Sequence, residues 1–136
     1  MRLFTDDNIA VACIWAEARG ESQDGKTAVA EVIRNRMRRK YFSHGDVVST
    51  VFWPYQFSWA NTDNKWRADV FNLDNSDGLV RRCFDAWVAD EHTDLTHGAV
   101  LYANVDLIVK LGWQMPSWAH DDKRTATVGN HSFFRD

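Results

Sequence analysis

The sequence predicts an α+β fold that is mostly helical and carries a small β-sheet late in the chain. Three observations predict it: apolar residues recur at helical spacing in three stretches before residue 94, a long irregular segment separates the second stretch from the third, and residues alternate in polarity near the end. The chain has 136 residues, which is the length of one domain, so we expect a single domain over residues 1–136.

The first predicted helix runs from about residue 6 to residue 18. Thr5 or Asp6 can cap its start, acidic residues there suit the helix dipole, and Gly20 can close it. Its apolar stripe consists of Ile9, Ala12, Cys13 and Ala16. Glu17 lies one turn after the cysteine of this stripe, so the helix carries a carboxyl group at the edge of its apolar face.

Two more helices are predicted, over about 24–38 and over 76–93, because apolar residues recur three and four positions apart. Ser22 or Asp24 can cap the earlier of the two. Its apolar positions are Val29, Val32, Ile33 and Met37. The later helix has an apolar face made of Leu79, Val80, Cys83, Phe84, Trp87 and Val88.

The segment 41–75 is predicted to be irregular. It is rich in aromatic residues, Asn, Asp and Ser, and residues 52–64 show neither a helical nor a strand period. Pro54 disfavours a helix there. Loops of this length inside a compact domain tend to be functional.

The sheet is predicted from two late segments. Residues 98–105 form a short extended segment. Residues 123–136 alternate around Ala126 and Val128, which predicts a hairpin or strand pair that turns at Gly129–Asn130.

Charge, hydropathy and cysteine usage exclude several classes of partner. The basic run 34–40 could bind nucleic acid, but the net charge of −3 favours a solvated helix end, so we expect no nucleic-acid partner. No apolar run reaches the roughly 18 residues of a membrane span, so we expect no membrane partner. The start lacks the features of a secretory signal, which predicts folding in the cytoplasm with Cys13 and Cys83 as buried free thiols.

Tryptophan is unusually frequent, with seven residues in the chain. Its flat apolar face suits the C–H face of a sugar ring and its N–H can reach a hydroxyl group, although some of the seven must belong to the core. Those in irregular segments are better candidates for sugar platforms than Trp15 and Trp87, which lie on predicted helices. The candidates are Trp53, Trp59, Trp113 and Trp118.

Glu17 is the strongest candidate for a reactive group. A carboxyl group at the edge of an apolar stripe loses hydration, which raises its pKa and favours the protonated form near neutral pH. A protonated carboxyl group of this kind can donate its proton to a glycosidic oxygen. The competing interpretation is a helix-end glutamate paired with Arg19, Arg34 or Arg36.

The sequence does not fix a partner carboxylate for Glu17, although most glycosidases use two carboxylates at a set separation. Glu21 would be the obvious second, but Gly20 interrupts the helix between them and leaves their geometry open. Further candidates are Glu31, Asp63 and Asp74. A substrate with an N-acetyl group can instead supply its own carbonyl oxygen to the anomeric carbon, and one acid/base residue then suffices.

Four segments resemble, in order, the motifs of the cell-wall hydrolase family typified by the spore-cortex-lytic enzyme SleB. They are WAEARGES at 15–22, followed by the helix pattern AVAEVIRNRM; QFSW at 56–59; GAVLYAN at 98–104; and VGNHSFFRD at 128–136. Trp59 stands where cysteine is common in the family, and Phe134 where tyrosine is usual. The resemblance spans nearly the whole chain, and its first and last motifs are the most specific.

The resemblance implies a lysozyme-like fold and peptidoglycan as the substrate. It also implies that one catalytic domain, without cofactor or metal, cleaves the β-1,4 bond from N-acetylmuramic acid to N-acetylglucosamine. Family members are thought to act as lytic transglycosylases with one catalytic glutamate, which corresponds to Glu17 here. Transglycosylase and hydrolase products both stay open at this point, as does a role for Glu21.

The motifs also supply candidates for substrate binding: Gln56, Ser58, Trp59, Tyr102, Asn104 and His131. Gln56 and Ser58 can bind N-acetyl or hydroxyl groups of the glycan, or cap a loop. Tyr102 can reach the leaving oxygen, orient the N-acetyl group or lie in the core, and Asn104 can do either job at the sugar. His131 can line the cleft or hold a neighbouring side chain.

Two other functions are compatible with parts of the sequence. A zinc-dependent amidase or peptidase of peptidoglycan would need about three ligands, and the only local cluster is His120 beside Asp121 and Asp122. The remaining histidines are His44, His92, His97 and His131. A non-catalytic carbohydrate-binding module would account for the aromatic residues but has no need of a desolvated acid.

The missing export signal adds a biological expectation. A wall-degrading enzyme kept inside its own cell is a hazard, and a phage endolysin resolves this because a separate pore protein releases it at lysis. We therefore expect an endolysin that stays in the host cytoplasm until it reaches the periplasm and cell wall. We expect it to act on peptidoglycan glycan strands as a monomer.

Overall fold

Helices form most of the fold, together with one small antiparallel sheet. The computed structural model describes residues 5–74 and 76–136. Within these residues the helices are α1 (Asp6–Ala18), α2 (Gln23–Arg39), α3 (Val47–Val51), α4 (Arg67–Phe71), α5 (Gly78–Ala89) and α6 (Val105–Leu111). The strands are β1 (Leu101–Ala103), β2 (Arg124–Val128) and β3 (His131–Phe134). Short 3-10 helices cover Ser58–Ala60, Asp90–His92 and Asp121–Lys123. The prediction of a mostly helical α+β fold is confirmed.

Helix α1 has the predicted bounds, but its burial differs from the prediction. The Thr5 hydroxyl caps it by accepting from the Asn8 N–H at 3.2 Å. The helix ends at the right-handed residue Arg19, and Gly20 is not left-handed. Gly20 therefore does not form a left-handed cap. The fully buried positions are Ala10, Val11, Cys13, Ile14 and Ala18, whereas Ile9, Ala12 and Ala16 of the predicted stripe are partly exposed. A single stripe fails because α2, α3, α4 and α5 all pack around this helix.

Helix α2 begins at Ser22, whose hydroxyl accepts from the Gly25 N–H at 3.1 Å, and ends in a left-handed Lys40. The predicted apolar positions lie inward, and three of them, Val29, Val32 and Ile33, are fully buried. The prediction that its basic end is solvated is wrong for two residues. Arg36 is only 4% exposed, and Arg34 forms an ion pair with Asp90 at 2.8 Å.

The segment predicted to be irregular contains α3, α4 and the 3-10 helix Ser58–Ala60. These elements have three to five residues each, which is too short for a periodic pattern to reveal them. The third predicted helix is shorter than expected, because α5 starts after the capping residue Asp77 and gives way to a 3-10 helix at Asp90. Leu79, Phe84 and Val88 of its predicted apolar face are exposed.

The sheet has the strand order β1-β3-β2 and is antiparallel throughout. Val128 pairs with His131 across the two-residue turn Gly129–Asn130, and Gly129 adopts a left-handed φ of 58°. The predicted hairpin is therefore confirmed. Helix α6 was not predicted; it starts at Asn104, whose side chain accepts from the Leu107 N–H at 3.0 Å.

Two core clusters meet beside β1. The larger joins α1, α2, α3 and α5, and the smaller joins α2 to the sheet through Val32, Ala99 and Phe133. Tyr102 packs against both.

Cys13 and Cys83 are buried free thiols, as predicted. Among the residues that the structure describes, no helix combines the length and the apolar character of a membrane crossing.

Candidate active site

Glu17 and Tyr102 meet where the last turn of α1 faces the centre of β1. The Tyr102 hydroxyl donates a hydrogen bond to Oε1 of Glu17 at 2.9 Å. Both residues are partly buried, so each keeps some exposed surface. Helix α1 thus delivers a carboxyl group whose position is fixed by a phenol from the sheet.

Burial dominates the electrostatics of Glu17. Desolvation raises the pKa of its carboxyl group, while the Tyr102 hydrogen bond and the positive charge of Arg36 act in the opposite direction. No ion pair with Glu17 occurs within residues 5–74 and 76–136. The competing interpretation of a salt-bridged helix-end glutamate therefore fails for the arginines that were considered.

Those arginines are engaged elsewhere. Arg19 lies over the ring of Trp15 at 4.4 Å and donates to the Ala16 carbonyl at 3.2 Å. Arg34 pairs with Asp90. Arg36 donates from Nε to the Val100 carbonyl at 2.7 Å, and no carboxylate of the described residues lies at ion-pair distance from its charge.

Arg36 was named in the sequence analysis only as a possible ion-pair partner of Glu17, and its buried place in the site was not predicted. Its Nη1 donates to Oε1 of Gln56 at 3.4 Å, and its guanidinium lies 4.9 Å from the centre of the Phe57 ring. Burial lowers the pKa of Arg36, and neighbouring acidic groups oppose that shift. Helical spacing from Val29 and Val32 places Arg36 on the inward face of α2, and this signal could have found it.

Two further groups complete the surroundings of Glu17. Cys13 lies one turn before it on α1, and burial raises the pKa of the thiol well above its ordinary value. Burial and the nearby Glu17 also raise the pKa of the Tyr102 hydroxyl well above its ordinary value. Both groups therefore stay protonated, and Tyr102 remains a hydrogen-bond donor toward the carboxyl group.

His131 and Glu21 support Tyr102 from the hairpin side. The ring of His131 meets the ring of Tyr102 edge-on at 5.1 Å. Its Nδ1 lies 3.6 Å from Oε1 of Glu21, and burial lowers the pKa of the imidazole while the Glu21 charge opposes that shift. His131 thus holds a neighbouring side chain, which is one of the two roles considered for it.

Glu21 is committed to the hairpin turn. Its two carboxylate oxygens accept from the Asn130 N–H at 3.1 Å and from Asn130 Nδ2 at 2.8 Å. A Cβ added to Gly129 would lie 3.2 Å from Oε1 of Glu21, so the glycine also makes room for this contact. Contacts through His131 and Tyr102 connect this side chain to Glu17.

Of the remaining carboxylates that were considered, one is buried in a hydrogen-bond network and two are exposed. Glu31 is buried and accepts four hydrogen bonds, from the Thr93 hydroxyl, the Leu95 N–H, and the N–H and hydroxyl of Thr96. Asp63 and Asp74 are exposed, and Asp74 accepts from the Ser76 N–H at 2.8 Å. Glu31 therefore fixes the chain before β1 instead of facing a ligand.

The other predicted binding residues have different surroundings: one lies at the site, one is exposed, one caps a helix and one is buried. Gln56 lies at the site through its contact with Arg36, and Ser58 is exposed at the start of a 3-10 helix. Asn104 caps α6 with its side-chain oxygen. Trp59 is 4% exposed and contacts the rings of Phe52 and Phe71, both at 5.9 Å. Because its ring is buried, the prediction that Trp59 is a sugar platform is wrong.

The other predicted platforms keep exposed surface, most of all Trp113, while Trp53 and Trp118 are partly buried. Exposed Tyr55 and Trp66 were not among the candidates.

Within the described part of the chain, no group of three or more His, Cys, Asp or Glu residues is arranged to hold a metal ion. The zinc alternative therefore has no ligand set in these residues.

Comparisons with known proteins bear on both the family and the fold. The family model described as cell wall hydrolase matches residues 20–134, starting three residues after Glu17. The catalytic domain of the germination-specific lytic transglycosylase SleB from Bacillus anthracis is similar, with a TM-score of 0.71, 22% identity and 99% of each chain covered.

The catalytic domain of the Bacillus cereus SleB protein is similar as well, with a TM-score of 0.69 and 23% identity. The alignment covers 99% of this chain and 94% of that one. At these identities the likeness shows the fold, and the predicted lysozyme-like fold is confirmed. No curated protein sequence matches the chain.

Proposed function

The chain belongs to the cell wall hydrolase family, and from this premise we propose that it cleaves the β-1,4 bond between N-acetylmuramic acid and N-acetylglucosamine with Glu17 as the proton donor. Degradation of peptidoglycan is the activity that the family implies. The bond and the catalytic residue are the proposal. The observation that supports it most is the partly buried Glu17 carboxyl group, held by Tyr102 at 2.9 Å and free of any ion pair among the described residues.

The first step is proton transfer. Protonated Glu17 gives its proton to the glycosidic oxygen, the bond from that oxygen to the anomeric carbon breaks, and the leaving sugar departs with a free hydroxyl group. This step leaves a carboxylate in a poorly hydrated place. The Tyr102 hydroxyl and the charge of Arg36 stabilise that carboxylate, because each favours the ionised form.

The second step resolves the positive charge at the anomeric carbon. The N-acetyl carbonyl oxygen of the substrate stabilises this charge, so a second catalytic carboxylate is not required. A hydroxyl of the same sugar or a water molecule then attacks the anomeric carbon and gives its proton to the Glu17 carboxylate, which restores the acid. The commitment of Glu21 to Asn130 agrees with a single-carboxylate mechanism.

The fragments released from purified sacculi test this proposal. We expect glycan fragments that end in 1,6-anhydro-N-acetylmuramic acid, which is the product when the attacking hydroxyl belongs to the same sugar. Mass spectrometry distinguishes them by one water molecule from the reducing ends of a hydrolase. Reducing ends would overturn the transglycosylase assignment while leaving Glu17 as the acid, and cleaved stem peptides would overturn the glycosidase assignment itself.

We also propose that the protein acts as an endolysin, held in the host cytoplasm until lysis. Expression of the intact chain in the cytoplasm of a Gram-negative cell should leave the culture turbid. Co-expression of a pore-forming protein should then cause rapid clearing, and the Glu17→Gln variant should not clear. Lysis without the pore protein would contradict the proposed cytoplasmic retention.

A further inference from the structure

Tyr55 has a highly exposed side chain and an unfavourable backbone conformation. Its side chain is 86% exposed, and its backbone has a left-handed φ of 65°. A bulky residue rarely adopts this conformation, because its Cβ crowds the backbone there. Because the side chain is exposed, burial of the ring does not offset the backbone strain.

Tyr55 has a left-handed backbone because it lies in a tight turn, where an aromatic residue is uncommon. The Gln56 N–H donates to the Trp53 carbonyl at 3.2 Å, with Pro54 and Tyr55 as the two central residues. Proline fixes a negative φ at the first central position and Tyr55 has a positive one, which is the arrangement of a type II turn. Glycine or asparagine is favoured at the second central position, so the turn itself does not call for an aromatic ring.

Two other aromatic residues belong to the same region, because Trp53 precedes Tyr55 by two residues and the Phe42 ring packs on Trp53. Phe42 is also left-handed, with a φ of 44°, and is 44% exposed. Its ring lies 6.1 Å from the ring of Trp53, which is partly exposed and precedes Pro54. We call Phe42, Trp53 and Tyr55 the aromatic patch. None of these three side chains carries a charge.

Side-chain contacts connect the aromatic patch to the candidate active site. Gln56, the residue after Tyr55, accepts from Arg36 at 3.4 Å. The Arg36 guanidinium also lies 5.8 Å from the ring centre of Tyr41, and that ring meets the ring of Phe42 at 4.7 Å. A chain of side-chain contacts therefore connects Arg36 with Phe42 and Trp53. Tyr55 is linked to Arg36 through its chain neighbour Gln56.

We propose that the aromatic patch binds a sugar of the glycan strand beyond the bond that is cleaved, with the Tyr55 ring stacked on its C–H face. This inference rests on the proposed function. Flat neutral rings suit the apolar faces of N-acetylated sugars, whereas a charged stem peptide would need charged partners that the three patch residues lack. Bulky residues with a left-handed backbone cluster at functional sites, and Phe42 and Tyr55 both have this backbone.

Binding and stability should respond in opposite directions when Tyr55 is replaced. In a Glu17→Gln background, which prevents cleavage, Tyr55→Gly should weaken binding of purified sacculi and of an N-acetylglucosamine hexamer by about tenfold. The same change should raise Tm by about 3 °C, because glycine fits the left-handed position. Tyr55→Ala should weaken binding equally without that gain, and Tyr55→Phe should bind normally.

A matched control and an independent readout keep the test sharp. Phe84 on α5 is as exposed as Phe42 but lies outside the aromatic patch, so Phe84→Ala should leave binding unchanged. Undiminished binding by Tyr55→Gly and Tyr55→Ala overturns the patch, whatever fragments the unmodified enzyme releases. Failure of the unmodified enzyme to release fragments overturns the proposed function, and it is measured separately from binding.

Discussion

Replacement of Glu17 by glutamine should lower the rate of glycan release from purified sacculi by about 10³-fold, because the amide keeps the shape of the side chain but has no proton to donate. The Tyr102 hydroxyl can still donate to the remaining side-chain oxygen, so the local geometry should persist. Binding of sacculi should be retained. Fragment release is measured by mass spectrometry or by loss of turbidity.

The same variant should be at least as stable as the unmodified protein at neutral pH. Burial raises the pKa of Glu17 in the folded state, so its contribution to stability is present below the unfolded-state pKa and is lost as pH rises through the folded-state value. Glutamine removes this loss. Thermal unfolding at neutral pH should therefore show an unchanged or higher Tm, together with the loss of activity.

Glu21→Gln is the matched control, since Glu21 lies four residues further along the chain and both of its carboxylate oxygens accept from Asn130. It should lose part of its contact with Asn130 and about 1 kcal/mol of stability, with activity reduced far less than by Glu17→Gln. If Glu21→Gln is as inactive as Glu17→Gln while folded, the single-carboxylate mechanism is wrong.

Replacement of Arg36 by methionine should have the second largest effect. The positive charge of Arg36 opposes the desolvation of Glu17, so its removal should raise the pKa of Glu17 further and move the alkaline limb of the pH–activity profile to higher pH. The maximal rate should nevertheless fall by about 10²-fold, because the carboxylate formed in the first step loses a stabilising charge. Both quantities come from one pH–rate profile.

Arg36→Lys separates charge from structure. Arg36→Met leaves the Val100 carbonyl and Gln56 without their donor, which should cost about 1–3 kcal/mol of unfolding free energy. Lysine keeps the charge but loses the planar fork, so it should restore the alkaline limb while remaining less stable than arginine. An unshifted limb in a folded Arg36→Met variant would show that Arg36 does not act on Glu17.

Local rules predicted the parts of the fold that depend on neighbouring residues. Thr5 fixed the start of α1 because its hydroxyl accepts from a backbone N–H three residues later. The Gly129–Asn130 pair predicted the hairpin because glycine readily adopts a left-handed turn position. Helices α3, α4 and α6 were missed because five to seven residues contain too few turns to show a period.

Long-range packing decided what sequence spacing could not. Trp59 lies in an irregular segment, as an exposed sugar platform would, yet Phe52 and Phe71 bury it. Glu21 is four residues from Glu17 but is bound by Asn130, which is 109 residues away in the chain. Helical spacing places Arg36 on the inward face of α2, but its contacts with Gln56 and the Val100 carbonyl depend on how α2 packs.

The environment of Glu17 was predictable from residue types. A carboxyl group at the edge of an apolar helix face predicted desolvation, and the structure gives that environment to Glu17. Its hydrogen bond to Tyr102 joins residues 85 positions apart, and spacing alone gave no reason to pair them. The desolvation of Glu17 was thus predictable, while the contacts that surround it depend on the fold.

Direct titration of Glu17 tests the central claim. In protein carrying ¹³C at the glutamate side-chain carboxyl carbons, one NMR signal should vanish in Glu17→Gln and is thereby assigned. We predict that this carbon titrates at a higher pH than in free glutamic acid and that activity falls over the same pH range. A signal that titrates as an exposed glutamate does, with activity unaffected across its transition, would contradict a buried Glu17 acid as the source of the reaction.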